Sequence, residues 1–243
     1  MILYQGPSRL TGEPIVAIAT IDSQNPKTAD MVQVWILRGD MRPMEAVRQN
    51  KDDAICGDCP QRWNLGGACY VTVSKAPESV YRRLTFGDGY QDENHIRRVK
   101  KALLQRTIRL GAYGDPCAVP FEVWESLIAQ GCQLWTGYTH QWKDVKNQKY
   151  RELLMASCDS FEDAKQAKDM GWRFFLVQRL LETNLPALGK VIECPSTARD
   201  ATCDDCTACD GTRADTRSTL AASIVIEVHG NKVRKWGLNV VTA

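Results

Sequence analysis

From residue 107 onward the sequence repeats one pattern: a short apolar run, a turn, an amphipathic stretch, then another apolar run. The runs at 107–111, 133–138, 153–157, 172–177, 190–193 and 224–228 have strand length, and 119–130, 145–152 and 160–170 between them read as helices. Strand–helix units in series predict parallel strands joined by crossovers, and so an α/β fold. Upstream, apolar runs at 14–21 and 32–37, split by the turn signal Asn25-Pro26, predict an N-terminal β-hairpin beside the main body. Segments 41–50, 76–84 and 92–105 read as helices, and 69–73 as one more strand. With 243 residues, 44% of them hydrophobic, the chain has material for one sizeable core. We expect a single α/β domain over 1–243: a β-rich segment at 1–50, a barrel-like core at 51–230 and a tail at 231–243, with 233–241 as a docked strand. An open, partial parallel β/α barrel fits best, and a doubly wound sheet is the alternative.

Into this frame the sequence sets two groups of cysteines. The late group is Cys194, Cys203, Cys206 and Cys209, spaced C-x8-C-x2-C-x2-C. A triple at i, i+3 and i+6 lets one loop wrap a single inorganic centre, which is the ferredoxin way of holding an iron–sulfur cluster. Zinc sites more often use separated C-x2-C pairs. The early group is Cys56, Cys59 and Cys69, spaced C-x2-C-x9-C. Three thiolates leave one position to be filled by Cys117, Cys158, His140 or an outside ligand, and late cysteines crossing to the early centre are a further arrangement. The polar run 199–218 lacks apolar residues to hold itself, so metal is expected to order it. Its aspartates, Asp200, Asp204, Asp205 and Asp210, would lower a cluster's potential if they face it.

Composition narrows the alternatives. A net charge of +2 is not the basic excess of a nucleic-acid binder. The basic stretch Arg97, Arg98, Lys100 and Lys101, near Trp63 and Tyr70 in sequence, reads first as a solvated helix face. His95 on the same helix is expected in solvent. No signal peptide stands out and no apolar run approaches the ~20 residues of a membrane span. A reducing cytoplasm follows as the expected compartment, where clustered thiols serve as metal ligands rather than disulfides. No Walker loop, nucleophile elbow or H-E-x-x-H motif occurs, and no catalytic residue emerges.

In a parallel barrel, function gathers at the C-terminal strand ends. Those ends here carry Asp115, His140, Cys158 with Asp159, Arg179, Cys194 and His229. His140 and His229 become candidate ligands or acid–base groups. Arg109 and Asp115 read as an ion pair beneath the rim, and Cys132 as core.

These residues resemble a cysteine-rich phage family catalogued as gene product 88. The likeness is carried by the early cysteines, the segment from Arg109 to Asp115, the TGYTH segment ending at His140, and Cys194-Pro195 with its late cysteines. Its layout is in turn similar to radical-SAM barrels, where a three-cysteine loop holds a [4Fe–4S] cluster. The resemblance implies one or two [4Fe–4S] clusters, with SAM as a candidate cofactor, a redox partner or small-molecule substrate, and the host cytoplasm as the location. The early loop departs from the compact C-x3-C-x2-C of radical-SAM enzymes, and no glycine-rich SAM motif stands out, which argues against SAM. The competing expectation is a zinc-stapled binding protein for nucleic acid or a host protein, without catalysis.

Overall fold

The computed structural model describes residues 1–21, 25–132, 134–212 and 222–228. The expected tail at 231–243, His229 and the end of the polar run beyond residue 212 lie outside them.

The chain forms a nine-stranded open sheet with helices packed around it. Strands β1 (Ile2–Pro7), β2 (Pro14–Thr20) and β3 (Val32–Arg38) pair antiparallel. β3 then pairs parallel with β4 (Ile108–Tyr113), with Val32 opposite Ile108. β5 (Trp135–Thr139), β6 (Met155–Cys158) and β7 (Phe174–Gln178) continue the parallel array. The expected hairpin is therefore present but not beside the body: its second strand is the first of the parallel strands. β1 was not anticipated, because its sequence, ILYQGP, is short and half-exposed.

The far edge differs from sequence order. β9 (Ser223–Glu227) inserts between β7 and β8 (Val191–Glu193), giving the order β1-β2-β3-β4-β5-β6-β7-β9-β8. The late cysteine loop thus leaves an edge strand and must return to an inner one.

Helices α1 (Pro43–Arg48), α2 (Asp53–Cys56), α3 (Ala76–Phe86), α4 (Glu93–Gln105), α5 (Phe121–Ala129) and α6 (Phe161–Asp169) link or flank the strands. Asp92 caps α4, its side chain accepting the His95 N–H at 2.6 Å, and Ser160 caps α6 in the same manner. Residues 145–152 form a 3-10 helix. Strand β2 is buried almost throughout, as a strand covered on both faces should be. Trp124, Trp135, Trp142, Tyr150 and Phe174 fill the core.

Two expectations fail locally. Residues 69–73 alternate like a strand, yet the Cys69 N–H bonds to Gln61 O at 3.0 Å and the segment closes its own loop. His95 is buried, 6% exposed, against Tyr90. Arg97, Arg98, Lys100 and Lys101 do lie on the exposed face of α4.

Candidate metal centres

The parallel strands all point one way, so their C-terminal ends share a rim. Asp115 follows β4, His140 follows β5, Asp159 follows β6 and Cys194 follows β8. All four line one cavity of ≈ 520 Å³, together with Cys56, Cys59, Cys69 and Cys203. Its walls are mostly apolar, with Trp35, Tyr138 and Phe175 contributed by one face of the sheet.

The seven cysteines lie in two loops. Cys59 and Cys69 are neighbours of Cys56, and Cys209 is flanked by Cys194, Cys203 and Cys206. Cys194 and Cys203 also line the large cavity with the early thiols, so the fold leaves the crossed arrangement open. The four late thiols line a second, small cavity of ≈ 20 Å³. All ten cysteines are free, with no disulfide among them.

The early loop is tied down by its own charges. Arg62 reaches Asp52 Oδ1 at 2.6 Å, the carbonyl and side chain of Asn50, and the Gly57 carbonyl. Both Arg62 and Asp52 are buried. Gly57 adopts φ 58° and ψ −134°, open only to glycine, and a Cβ there would strike Gln141. Gln141 in turn donates to the Cys56 carbonyl at 3.1 Å. A second tie joins the Asp115 N–H to Ile55 O at 2.6 Å.

The late loop is held from outside. Arg173, at the start of β7, donates to Asp210 Oδ1 at 2.9 Å and to the carbonyls of Gly211, Ala208 and Ala222. The Gly137 N–H bonds to Cys209 O at 2.9 Å. α7 (Pro195–Ala198) and α8 (Cys203–Cys206) are single turns, the second closed by a Thr202–Asp205 capping box. A buried guanidinium therefore ties residues 208–211 of this loop to the sheet, beside whatever ordering a metal would add. Asp210 is paired with Arg173 and Asp205 closes the cap, and the charges of both still push the Cys206 thiol up.

Arg109 and Asp115 do not pair. Asp115 accepts from Cys117 N, Thr139 Oγ1 and His140 N, and burial pushes its carboxyl up. Arg109 instead lies 5.2 Å from the Tyr138 ring centre, inside the cavity and near Cys203. Cys117 is sealed in the core, where Thr139 donates to its sulfur at 3.3 Å. Cys158 and Cys132 are buried away from the cavity.

Burial pushes the thiols of Cys56, Cys203, Cys206 and Cys209 up, and neighbouring thiolates push them further. Opposing this, Arg109 lowers Cys203, the Ala208 backbone lowers Cys206 and Tyr138 hydrogen-bonds Cys209. Thiols so placed stay protonated until a cation offsets their charge, so metal uptake would release protons. For His140, burial works to lower the pKa, but the Cys59 charge and a hydrogen bond to Asp159 outweigh it and hold it well above the usual value.

Among the described residues no three His, Cys, Asp or Glu side chains stand as the ligands of one ion. One tetrahedral zinc would draw its sulfurs to about 2.3 Å from a common point, whereas thiolates of a cluster each bind a separate iron. Both cavities also hold orphaned polar atoms. The buried Tyr113 hydroxyl, beside Cys56 and Cys69, has no hydrogen-bond partner among the described residues. Nor has the Thr136 hydroxyl in the small cavity of the late thiols. Buried hydroxyls of this kind ask for an acceptor, and the sulfur-rich donor sets beside them fit an iron–sulfur centre.

Sequence reasoning missed Arg62, Arg173, Tyr113 and Thr136 as parts of these sites. The one available signal was an arginine opening the apolar run at 172–177, since a buried cation must find partners. No helix is long and apolar enough to cross a membrane among the described residues. Set against family models, curated proteins and solved structures, the chain matches none.

Proposed function

We propose that this chain is an iron–sulfur redox protein with two centres flanking a small-molecule cavity. Cys194, Cys203, Cys206 and Cys209 would hold the closed centre, and Cys56, Cys59 and Cys69 the one that faces the cavity. Bound there, [4Fe–4S] clusters supply one-electron transfer. The observation that carries the reading is the sorting of these thiols: two sets from distant loops meet at one cavity, and Cys194 and Cys203 line both cavities. Arg109, with the Tyr138 ring beneath it, offers the cavity a cation for an anionic guest. Trp35 and Phe175 offer it flat apolar walls.

The proposal also takes the open sheet as a partial β/α barrel. The cavity is lined by six neighbouring strands, β3 to β7 and β9. Flat strands ~4.8 Å apart would spread over roughly 24 Å, against about 10 Å for a round cavity of this volume, so curvature is the simpler account. The radical-SAM likeness enters only as this layout, and the phage-family resemblance carries none of the argument.

A second reading keeps a single zinc at the late loop, and the small volume of that cavity, ≈ 20 Å³, favours it. Anaerobic purification with iron, acid-labile sulfide and zinc analysis separates the two. Brown protein with iron and sulfide in equal amounts supports the clusters. Colourless protein with stoichiometric zinc and no sulfide overturns them. If SAM chemistry is present, SAM added to reduced protein gives cleavage products.

A further inference from the structure

The early set supplies three thiols, and the structure decides what stands nearest its empty place. Cys117, Cys132 and Cys158, the three spare thiols, are all buried away from the cavity. His140 lines the cavity with Cys56, Cys59 and Cys69, and the Cys59 side chain is among the neighbours of its ring. Its Nε2 lies 3.3 Å from Asp159 Oδ2. Nε2 and Asp159 Oδ1 are both buried with no well-aligned hydrogen bond among the described residues. Nε2 is taken up with Asp159, so Nδ1 is left for the cysteine side.

We propose that His140 is the fourth protein ligand of the early centre, coordinating through Nδ1 while Asp159 holds Nε2. This rests on the iron–sulfur reading above and goes beyond it. A carboxylate behind a ligating imidazole is the recurrent arrangement at metal sites: it fixes the tautomer, orients the ring and strengthens the nitrogen as a donor. The backbone is positioned for the role as well. The His140 N–H is anchored on Asp115 Oδ2 at 2.9 Å, and the next residue, Gln141, clasps the Cys56 carbonyl. The histidine and the thiols therefore move as one body.

The consequence concerns the cavity. With His140 in place every iron has a protein ligand, so a guest beside Arg109 receives electrons without coordinating metal. Imidazole in place of thiolate would raise the potential of a cluster held there relative to all-thiolate ligation.

The test uses wild-type protein purified anaerobically and reduced, with ¹⁵N-histidine introduced biosynthetically. Pulsed EPR should show a nitrogen coupling that changes from ¹⁴N to ¹⁵N character on labelling, and only three histidines are present to give it. His140→Ala should lose that coupling while keeping the late centre, and His140→Cys should lose it while keeping full iron and a lower potential. Normal iron and sulfide without a histidine coupling, or a coupling that survives His140→Ala, overturns the ligation alone. Absence of iron and sulfide overturns the underlying reading, and the ligation with it.

Discussion

The two cysteine loops are held in place by opposite means. The early loop is clamped by Arg62, whose partners Asp52, Asn50 and Gly57 lie within 12 residues of it. The late loop is clamped by Arg173, which lies 35 to 49 residues from the groups it binds, on a strand the loop must fold back against. The early loop can close on its own clamp, and only its ties to Asp115 and Gln141 wait for β4 and β5. The late site waits for β7, β8 and β9 to assemble. Their surroundings differ in step: the three early thiols line the large cavity alone, whereas the four late ones line a small cavity, and Cys194 and Cys203 reach the large one as well. A locally clamped site is suited to face a guest, and a site knitted into the sheet is suited to stay shut.

The largest expected effect comes from removing the clamps. Arg173→Ala strands the partly buried carboxylate of Asp210 and three carbonyls, and should cost ~3 kcal/mol in chemical denaturation. Arg62→Ala should cost a similar amount, but each should empty only its own centre, read as a loss of one cluster's iron per chain. An Arg173→Ala protein that loses both centres, or keeps both at unchanged Tm, breaks the comparison.

Gly57→Ala comes next. It forces a side chain into a glycine-only conformation against Gln141, and should cost ~1–3 kcal/mol while weakening the early centre alone. Retention of early iron with unchanged stability would show that the loop is less tightly tied than its contacts indicate.

Asp115 tests the floor of the early site through pH. Burial raises its carboxyl despite three donors, so the folded state holds that proton more tightly than the unfolded one. Its contribution to stability is full below the unfolded carboxylate pKa and is lost as pH rises through the folded value. In the metal-free protein, Asp115→Asn should flatten that fall as the pH rises above the ordinary carboxylate range. A denaturation series with the same slope in both proteins would refute it.

The smallest effects are electronic. Thr136→Val and Tyr113→Phe each remove one orphaned hydroxyl from one cavity. Each should shift only its own centre to a more negative potential, since hydrogen bonds to cluster sulfur raise it. Potentiometry showing both centres moved by one substitution would mean that the sites are not separable.

Much of the fold was legible because its signals are local. The apolar runs around residues 108, 135, 155 and 174 became strands within two residues or so of where they were read. The failures at 69–73 and 2–7 are of one kind. Alternation marks a residue pattern without saying whether the backbone N–H groups find a neighbouring strand, and those of 69–73 turned back on their own loop. The cysteine sets were legible from spacing. The Arg109–Asp115 pair was not, because opposite charges near in sequence point apart when strand and loop diverge.

What the sequence determined by itself, then, was the material: an alternating α/β chain, two groups of thiols, and a histidine at a strand end. The tertiary structure decided the strand order β7-β9-β8, the reach of Arg173 into the late loop, and the meeting of His140 with Cys59. Periodicity and spacing record what a segment does within a few residues of itself. Which remote segments touch is settled only when the whole sheet buries its apolar faces together, because no single loop has enough surface to fix its own place.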